Sequence, residues 1–281
     1  MIGFIKRIIN GWRDYPHKEH TIIHQQYLIK NFIGQGSFGT AYCCADLQNG
    51  GCLVLVKQSR ASKGRRAVDM LDAERRVLSI IDCNGIPKVL DYFSWQGAQY
   101  LVTEFVPGKT LENMIFDNHE TIDESQCVNY AIQTLQLLVV VHRNQFVHLD
   151  VRLPNVIIDN QRVHLIDFGL VRAIGDHPDV EPYEEGKLAY RHLAEPQSDL
   201  YAVGHMMLFM LYTTFERTES TNVVRELSWE EELAISDDLK TVLRKLLKID
   251  SPYQHAEEAV AALQQIKTGI PARFTADNWQ K

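Results

Sequence analysis

The chain has no apolar run approaching the roughly 18 residues needed to cross a bilayer. No signal peptide with a cleavage site is visible, and internal repeats and low-complexity tracts are missing. It also lacks a positive balance: 29 basic against 36 acidic residues give a formal charge of -7, which argues against a nucleic-acid binder. Cysteine is scarce and odd in number. Cys43, Cys44, Cys52, Cys83 and Cys127 show neither metal-ligand spacing nor the even count of a disulfide scaffold. Free thiols in a reducing cytoplasm are the simplest reading, so a cytoplasmic location is expected. What remains is an ordinary globular composition, 45% hydrophobic and 23% charged over 281 residues. That length accommodates one large domain or two lobes with separate cores.

Residues 1–26 read as an N-terminal extension. Its first part sets Ile2, Phe4, Ile5, Ile8, Ile9 and Trp12 at helical spacing, with Lys6, Arg7 and Arg13 between them. A short helix packed on the neighbouring lobe is the simpler reading. The alternative is membrane contact, with residues 1–13 lying as an interfacial helix on anionic lipid. Gly3 and Gly11 weaken the helix in either case.

From 27 to 106 the pattern is short strands broken by glycine turns, at 27–33, 40–45, 52–58, 89–93 and 100–105. One helix, near 66–80, interrupts them, with Leu71, Leu78 and Ile81 on its apolar face. After Pro107-Gly108 helices dominate, at 127–142, 199–211, 237–247 and 256–266. Residues 107–269 therefore form a second lobe, and 270–281 a loose tail. The expected fold class is α+β and bilobal: a β-rich N-lobe with one key helix, joined near 104–108 to an α-rich C-lobe.

Three constellations carry chemistry. The run His148-Leu149-Asp150-Val151-Arg152-Leu153-Pro154-Asn155 supplies a carboxylate, a cation and an amide, and Asp167-Phe168-Gly169 follows twelve residues after Asn155. Alone, H-x-D and D-F-G are common; at this spacing, after the apolar run Val163, Leu165 and Ile166, they are restrictive. Gly34-Gln35-Gly36-Ser37-Phe38-Gly39 follows one strand and enters another. Glycine suits backbone N–H groups that must approach phosphate without a Cβ in the way. A dinucleotide fold uses the same letters but needs a helix next, whereas Thr40-Ala41-Tyr42-Cys43-Cys44 reads as strand, so a flap over ATP is expected. Lys57 closes the apolar run Leu53-Val54-Leu55-Val56, and Glu74, seventeen residues on, is the carboxylate to orient it. Separately, Lys57 reads as a solvated strand end and Glu74 as part of a charged face with Arg75 and Arg76. Their joint order and spacing favour function.

These residues resemble the protein kinase superfamily, most closely the compact eukaryotic-like serine/threonine kinases of bacteria, over about residues 27–266. The resemblance implies an ATP-dependent enzyme phosphorylating Ser or Thr of protein substrates, with Mg2+ as cofactor and Mn2+ as a second candidate. It implies that Asp150 accepts or orients the substrate hydroxyl proton, with Arg152, Lys57 and Glu74 completing the catalytic set. Asn155 and Asp167 would hold the metal. The nucleotide would meet Ile33, Gly34, Gln35, Gly36, Ser37, Phe38, Gly39, Thr40, Ala41, Leu55 and Lys57. Thr103 would stand at the back of the adenine pocket, Glu104 and Val106 would offer backbone bonds, and Ile157 would form the floor. Asp199, in Ser198-Asp199-Leu200-Tyr201-Ala202-Val203-Gly204, resembles the aspartate that braces the catalytic loop.

The chain departs from that pattern in several places. Leu149 replaces the arginine that precedes the catalytic aspartate in many relatives, and residues 167–197 contain no Ser or Thr, only Tyr183 and Tyr190. Activity independent of Ser/Thr phosphorylation in this loop is the expectation. Arg152 stands for a lysine and keeps its charge. Lys187 takes a threonine's place in Gly186-Lys187-Leu188-Ala189-Tyr190, which leaves Ser/Thr selectivity open. Ala194-Glu195-Pro196 is a poor match to A-P-E, and Asp250-Ser251-Pro252-Tyr253-Gln254-His255 lacks the arginine that would pair with it. Ala41 and Leu55 invert the usual small and large residues over adenine. Asp176, Asp179, Glu181, Glu184 and Glu185 make the same loop acidic, which would favour substrates with basic flanks. Lys57, Arg60, Lys63, Arg65 and Arg66 form a basic run whose latter part reads as a solvated loop. Two other functions compete: a small-molecule phosphotransferase of the same fold, and an inactive nucleotide-binding scaffold.

Overall fold

The computed structural model describes residues 14–176, 193–215 and 227–268. The helix expected at residues 1–13, the loop positions Tyr183, Lys187 and Tyr190, and the tail lie outside the described residues. The described chain divides into two compact units. The first comprises residues up to Asp82, Ile86–Pro107 and Asp167–Leu170; the second comprises Cys83–Gly85, Gly108–Ile166 and the chain from Val171 onward.

The first unit is built on a six-stranded antiparallel sheet. Its strands are β1 (Ile22–Ile23), β2 (Tyr27–Gln35), β3 (Gly39–Asp46), β4 (Cys52–Ser59), β5 (Val89–Trp95) and β6 (Ala98–Glu104), in the order β1-β2-β3-β4-β6-β5. The alternation in β4 sorts its two faces: Val54 and Val56 point into a core with Tyr27, Ile29, Tyr42, Tyr100 and Val102, while Leu55 and Lys57 point the other way. Cross-strand partners share a face. Since Ala41 pairs with Lys57, Cys43 with Leu55 and Leu55 with Thr103, Ala41, Leu55, Lys57 and Thr103 all lie on the second face. Ala41 and Leu55 are thus diagonal neighbours rather than opposed.

Helix α1 (Gly64–Ile80) buries Ala67, Leu71, Glu74, Val77 and Leu78. The spacing 67, 71, 74, 78 is one helical stripe, so Glu74 sits among apolar positions while Asp72 pairs outward with Arg75 and Arg76. The reading of Glu74 as one member of a solvated charged face is corrected by this burial.

In the second unit, β7 (Lys109–Thr110), β9 (Val156–Asp159) and β10 (Arg162–Leu165) form one small sheet, and β8 (Phe146–Val147) pairs with β11 (Arg172–Ala173). Helices α2 (Glu124–Arg143), α3 (Pro196–Leu211), α4 (Trp229–Glu232), α5 (Asp237–Leu246) and α6 (Ala256–Thr268) supply the bulk. A capping box of Asp123 and Gln126 starts α2. Its Leu135, Leu138 and Val141 are fully buried. Ser236 caps α5, accepting from the Leu239 N–H at 3.3 Å. A π-helical turn at Asn113–Asp117 and the two-residue strands carried no sequence signal.

Candidate active site

In the first unit the Lys57 ammonium donates to Glu74 Oε1 at 2.6 Å and to Asp167 Oδ1 at 2.8 Å. Burial alone would depress the lysine, but the Asp167 and Glu74 carboxylates outweigh it and raise its pKa. It is therefore an ammonium at any physiological pH. Burial pushes Glu74 upward despite its lysine partner. Asp167 has a left-handed backbone, φ 65°, which aspartate tolerates better than most residues. Its side chain is 44% exposed, which leaves room beside it for more than the lysine.

The glycine turn between β2 and β3 is held by a Gly36 N–H bond to the Gly39 carbonyl at 2.9 Å. A Cβ built on Gly34 meets nothing within 4 Å, and one on Gly36 meets only the Gly39 carbonyl at 3.9 Å. Neither glycine has positive φ. Among the described residues nothing demands glycine at these two positions. A group that must touch the backbone, such as a polyphosphate, would demand it. Gln35, Ser37, Phe38 and Thr40 complete the turn, with Thr40 buried and Ile33 exposed just before it. Thr103 is buried at the end of the shared face, with Glu104 exposed and Val106 half-buried after it.

In the second unit the residues of the run 148–155 are mutually fixed. Arg152 Nε lies 3.0 Å from Asp150 Oδ1. Asn155 Nδ2 donates to Asp150 Oδ2 and to its backbone carbonyl, both at 2.8 Å. Each carboxylate oxygen thus has an assigned partner, which sets the plane of the group. Ile157, half-buried on β9, pairs with His164 and with Thr110.

Beneath this loop lies Asp199, fully buried in α3. Its Oδ2 accepts from the His148 N–H at 2.8 Å and pairs with His142 Nε2 at 2.9 Å, and its Oδ1 accepts from the Leu149 N–H at 2.8 Å. Burial would raise this carboxyl; the His142 bond and the backbone donors prevail and hold it below its ordinary range. His148 is buried too. Its Nδ1 accepts from the Asp150 N–H at 3.2 Å and its Nε2 faces the Ile166 carbonyl at 3.2 Å, so Nε2 carries the proton. His148 heads the motif run read from the sequence, whereas His142 carries no such mark.

The region after the loop explains one departure. Glu195 is exposed and stands at the N-cap of α3, with Pro196 inside its first turn. In place of an ion pair to residues 250–255, Gln197 Nε2 donates to Gln254 Oε1 at 3.0 Å. A neutral amide pair thus ties α3 to that loop. A groove of about 340 Å³ opens beside Asp150, with Arg152, Pro154, Phe116, His205 and Phe209 in its wall.

The sequence and fold were compared with known proteins. A family model described as "Protein kinase domain" matches residues 27–261. The chain is 30% identical over 259 residues to the probable serine/threonine-protein kinase YbdM of Bacillus subtilis, spanning 90% of this chain and 95% of that one. It is 26% identical over 274 residues to serine/threonine-protein kinase B of Synechocystis, spanning 86% of this chain and 47% of that protein. The solved structure "PpkA-294 apo form" matches with a TM-score of 0.67 at 20% identity, covering 88% of this chain and 99% of that one; it shares the fold.

Proposed function

Because the chain belongs to the protein kinase family and is a serine/threonine protein kinase, we propose that it moves the γ-phosphoryl group of Mg-ATP to Ser or Thr hydroxyls of protein substrates. The observation that carries this reading is the Lys57–Glu74–Asp167 triad, at 2.6 and 2.8 Å, on the same unit as a glycine turn with open space around it.

The roles follow from charge. Lys57, kept cationic by two carboxylates, neutralises α- and β-phosphate oxygens, and Glu74 keeps it from wandering. The N–H groups of 34–39 cover the phosphates, while Ile33, Ala41, Leu55, Thr103, Glu104, Val106 and Ile157 receive the adenine. Asp167 and Asn155 would hold magnesium. Among the described residues no cluster of three His, Cys, Asp or Glu forms a protein-only metal cage. A magnesium carried in on a triphosphate needs only one or two protein oxygens, so the residues fit it. When bound, it would supply positive charge against the negative charge that builds up during transfer. Asp150, its carboxylate plane fixed by Arg152 and Asn155, orients the acceptor hydroxyl and takes its proton. Arg152 then turns toward the transferred phosphoryl, for which its paired donors are suited. The groove beside Asp150 is the place for the acceptor segment.

Leu149 leaves no cation before Asp150 that a loop phosphate would need to neutralise, so the enzyme works without Ser/Thr phosphorylation of residues 167–197. The test is a titration with fluorescent ATP, with and without magnesium, followed by labelled-phosphate transfer to protein and to small alcohols. Magnesium-dependent binding and label in protein are expected. Label in small alcohols alone would establish the small-molecule reading, and binding without transfer the scaffold reading.

A further inference from the structure

The segment 14–20, for which the sequence offered no motif, is fastened to the six-stranded sheet at two points. His17 is wedged between aromatic rings, its centroid 5.9 Å from Tyr42 and 5.7 Å from Trp95. Its N–H donates to the Tyr42 hydroxyl at 3.0 Å, and its Nε2 lies 3.2 Å from the Tyr100 hydroxyl. The second point is Asp14, whose side chain is 7% exposed. Its carboxylate accepts from Arg60 Nε and from the Ser62 N–H, each at 3.1 Å, and from the Ser62 hydroxyl. Its carbonyl accepts from Gln35 Nε2 at 2.6 Å.

Two of the three partners of Asp14, Arg60 and Gln35, reach the glycine turn. Arg60 Nη1 donates to the Gly36 carbonyl at 2.9 Å, and the Arg60 N–H donates to the Phe38 carbonyl at 2.9 Å. Gln35 lies in the turn and also donates to Thr40 Oγ1 at 3.1 Å. The basic residue that reads from sequence as one of a run is therefore a bridge. It links a carboxylate of the N-terminal segment to the tip of the turn.

We propose that Asp14 is a positioning residue for the nucleotide: it clamps Arg60 and, through Arg60 and Gln35, fixes the glycine turn in the conformation that receives phosphate. This rests on reading that turn as the ATP flap. The physical argument is entropic. A turn with three glycines and open space around Gly34 has little packing to order that end of it, the Arg66 guanidinium lying over Phe38 at the other end. Ordering it on binding would cost affinity, and anchors already in place remove that cost. Arg60 can anchor only if it is itself held; without Asp14 it is a long side chain with many rotamers and a single backbone acceptor for its guanidinium. Asp14 touches none of the reacting groups, so its influence falls on nucleotide affinity and not on the chemical step.

The experiment measures KM for ATP and kcat on a Ser/Thr peptide library, together with melting midpoints, for wild type, Asp14→Asn, Asp14→Ala and Asp14→Glu. The two variants that remove the charge, Asp14→Asn and Asp14→Ala, are expected to raise KM for ATP about fivefold or more with kcat nearly unchanged, and Asp14→Glu to recover part of the loss. Arg60→Ala is expected to raise KM similarly, and Asp14→Ala added to it to contribute nothing further. Additive effects in that double variant would overturn the clamp. So would a fall in kcat and melting midpoint with KM unmoved. A wild-type protein that binds no Mg-ATP would overturn the flap reading and the clamp together; one that binds it with KM indifferent to Asp14 would overturn the clamp alone.

Discussion

The Leu149 N–H donates to Asp199 Oδ1 at 2.8 Å while Leu149 itself sits at φ 62°. Left-handed backbone at a bulky residue costs on the order of 1–3 kcal/mol and persists only where neighbours over-determine it. Asp199 provides that constraint. It grips two consecutive N–H groups, and the peptide so turned carries Asp150 next in line. The strain on Leu149 and the orientation of Asp150 are two ends of one arrangement.

Asp199→Asn exchanges an acceptor for a donor facing two N–H groups and a histidine. It should lower unfolding free energy by about 3 kcal/mol in urea titration and reduce phosphoryl transfer with it. Because the folded carboxyl is held below its unfolded value of 3.8, its contribution is present above that value and is lost as pH falls through the depressed one. The wild type should therefore lose stability more steeply than the variant below about pH 4.

The Lys57 site gives a graded pair. Lys57→Met should lower kcat/KM for ATP by at least about a hundredfold. Glu74→Gln keeps a hydrogen bond to the lysine but not the charge and should lose less. Steady-state ADP release at varied ATP distinguishes them, and equal losses would mean that Glu74 does more than orient.

Two glycines should behave oppositely. At Gly108, φ is 108° and a Cβ would fall 2.4 Å from the Ile158 carbonyl, so Gly108→Ala should destabilise by about 1–3 kcal/mol. Gly34→Ala meets nothing within 4 Å among the described residues. Its melting midpoint should match wild type, while Mg-ATP binding by fluorescence weakens.

Phosphatase-treated protein should retain full initial velocity, with mass spectrometry confirming no phosphate between residues 167 and 197. A required phosphotyrosine at Tyr183 would contradict this.

The pattern of residues carried the strands and long helices closely: 52–58 and 66–80 from alternation and spacing against observed Cys52–Ser59 and Gly64–Ile80. The pairing of Lys57 with Glu74 was legible because the catalytic residues recur at fixed offsets. The burial of Glu74 was not read from the sequence, although its place between Leu71 and Leu78 on one helical stripe carries that signal. Other parts left no such signal. The histidines around Asp199 act through backbone groups and contacts 51 and 57 residues distant, which leave no local trace. The Asp14–Arg60 bridge joins residues 46 apart, in a segment whose composition resembles any connector. Two-residue strands such as Lys109–Thr110 are imposed by their partners, here Ile157 and Ile158, and not by propensity.

The central claim is that Asp150 directs a Ser/Thr hydroxyl onto the γ-phosphoryl group of Mg-ATP. Transfer of labelled phosphate from ATP to protein, compared between wild type and Asp150→Asn at matched folding, tests it most directly. The account predicts transfer by the wild type and a loss of at least about a hundredfold in the variant; equal rates in the two proteins would contradict it.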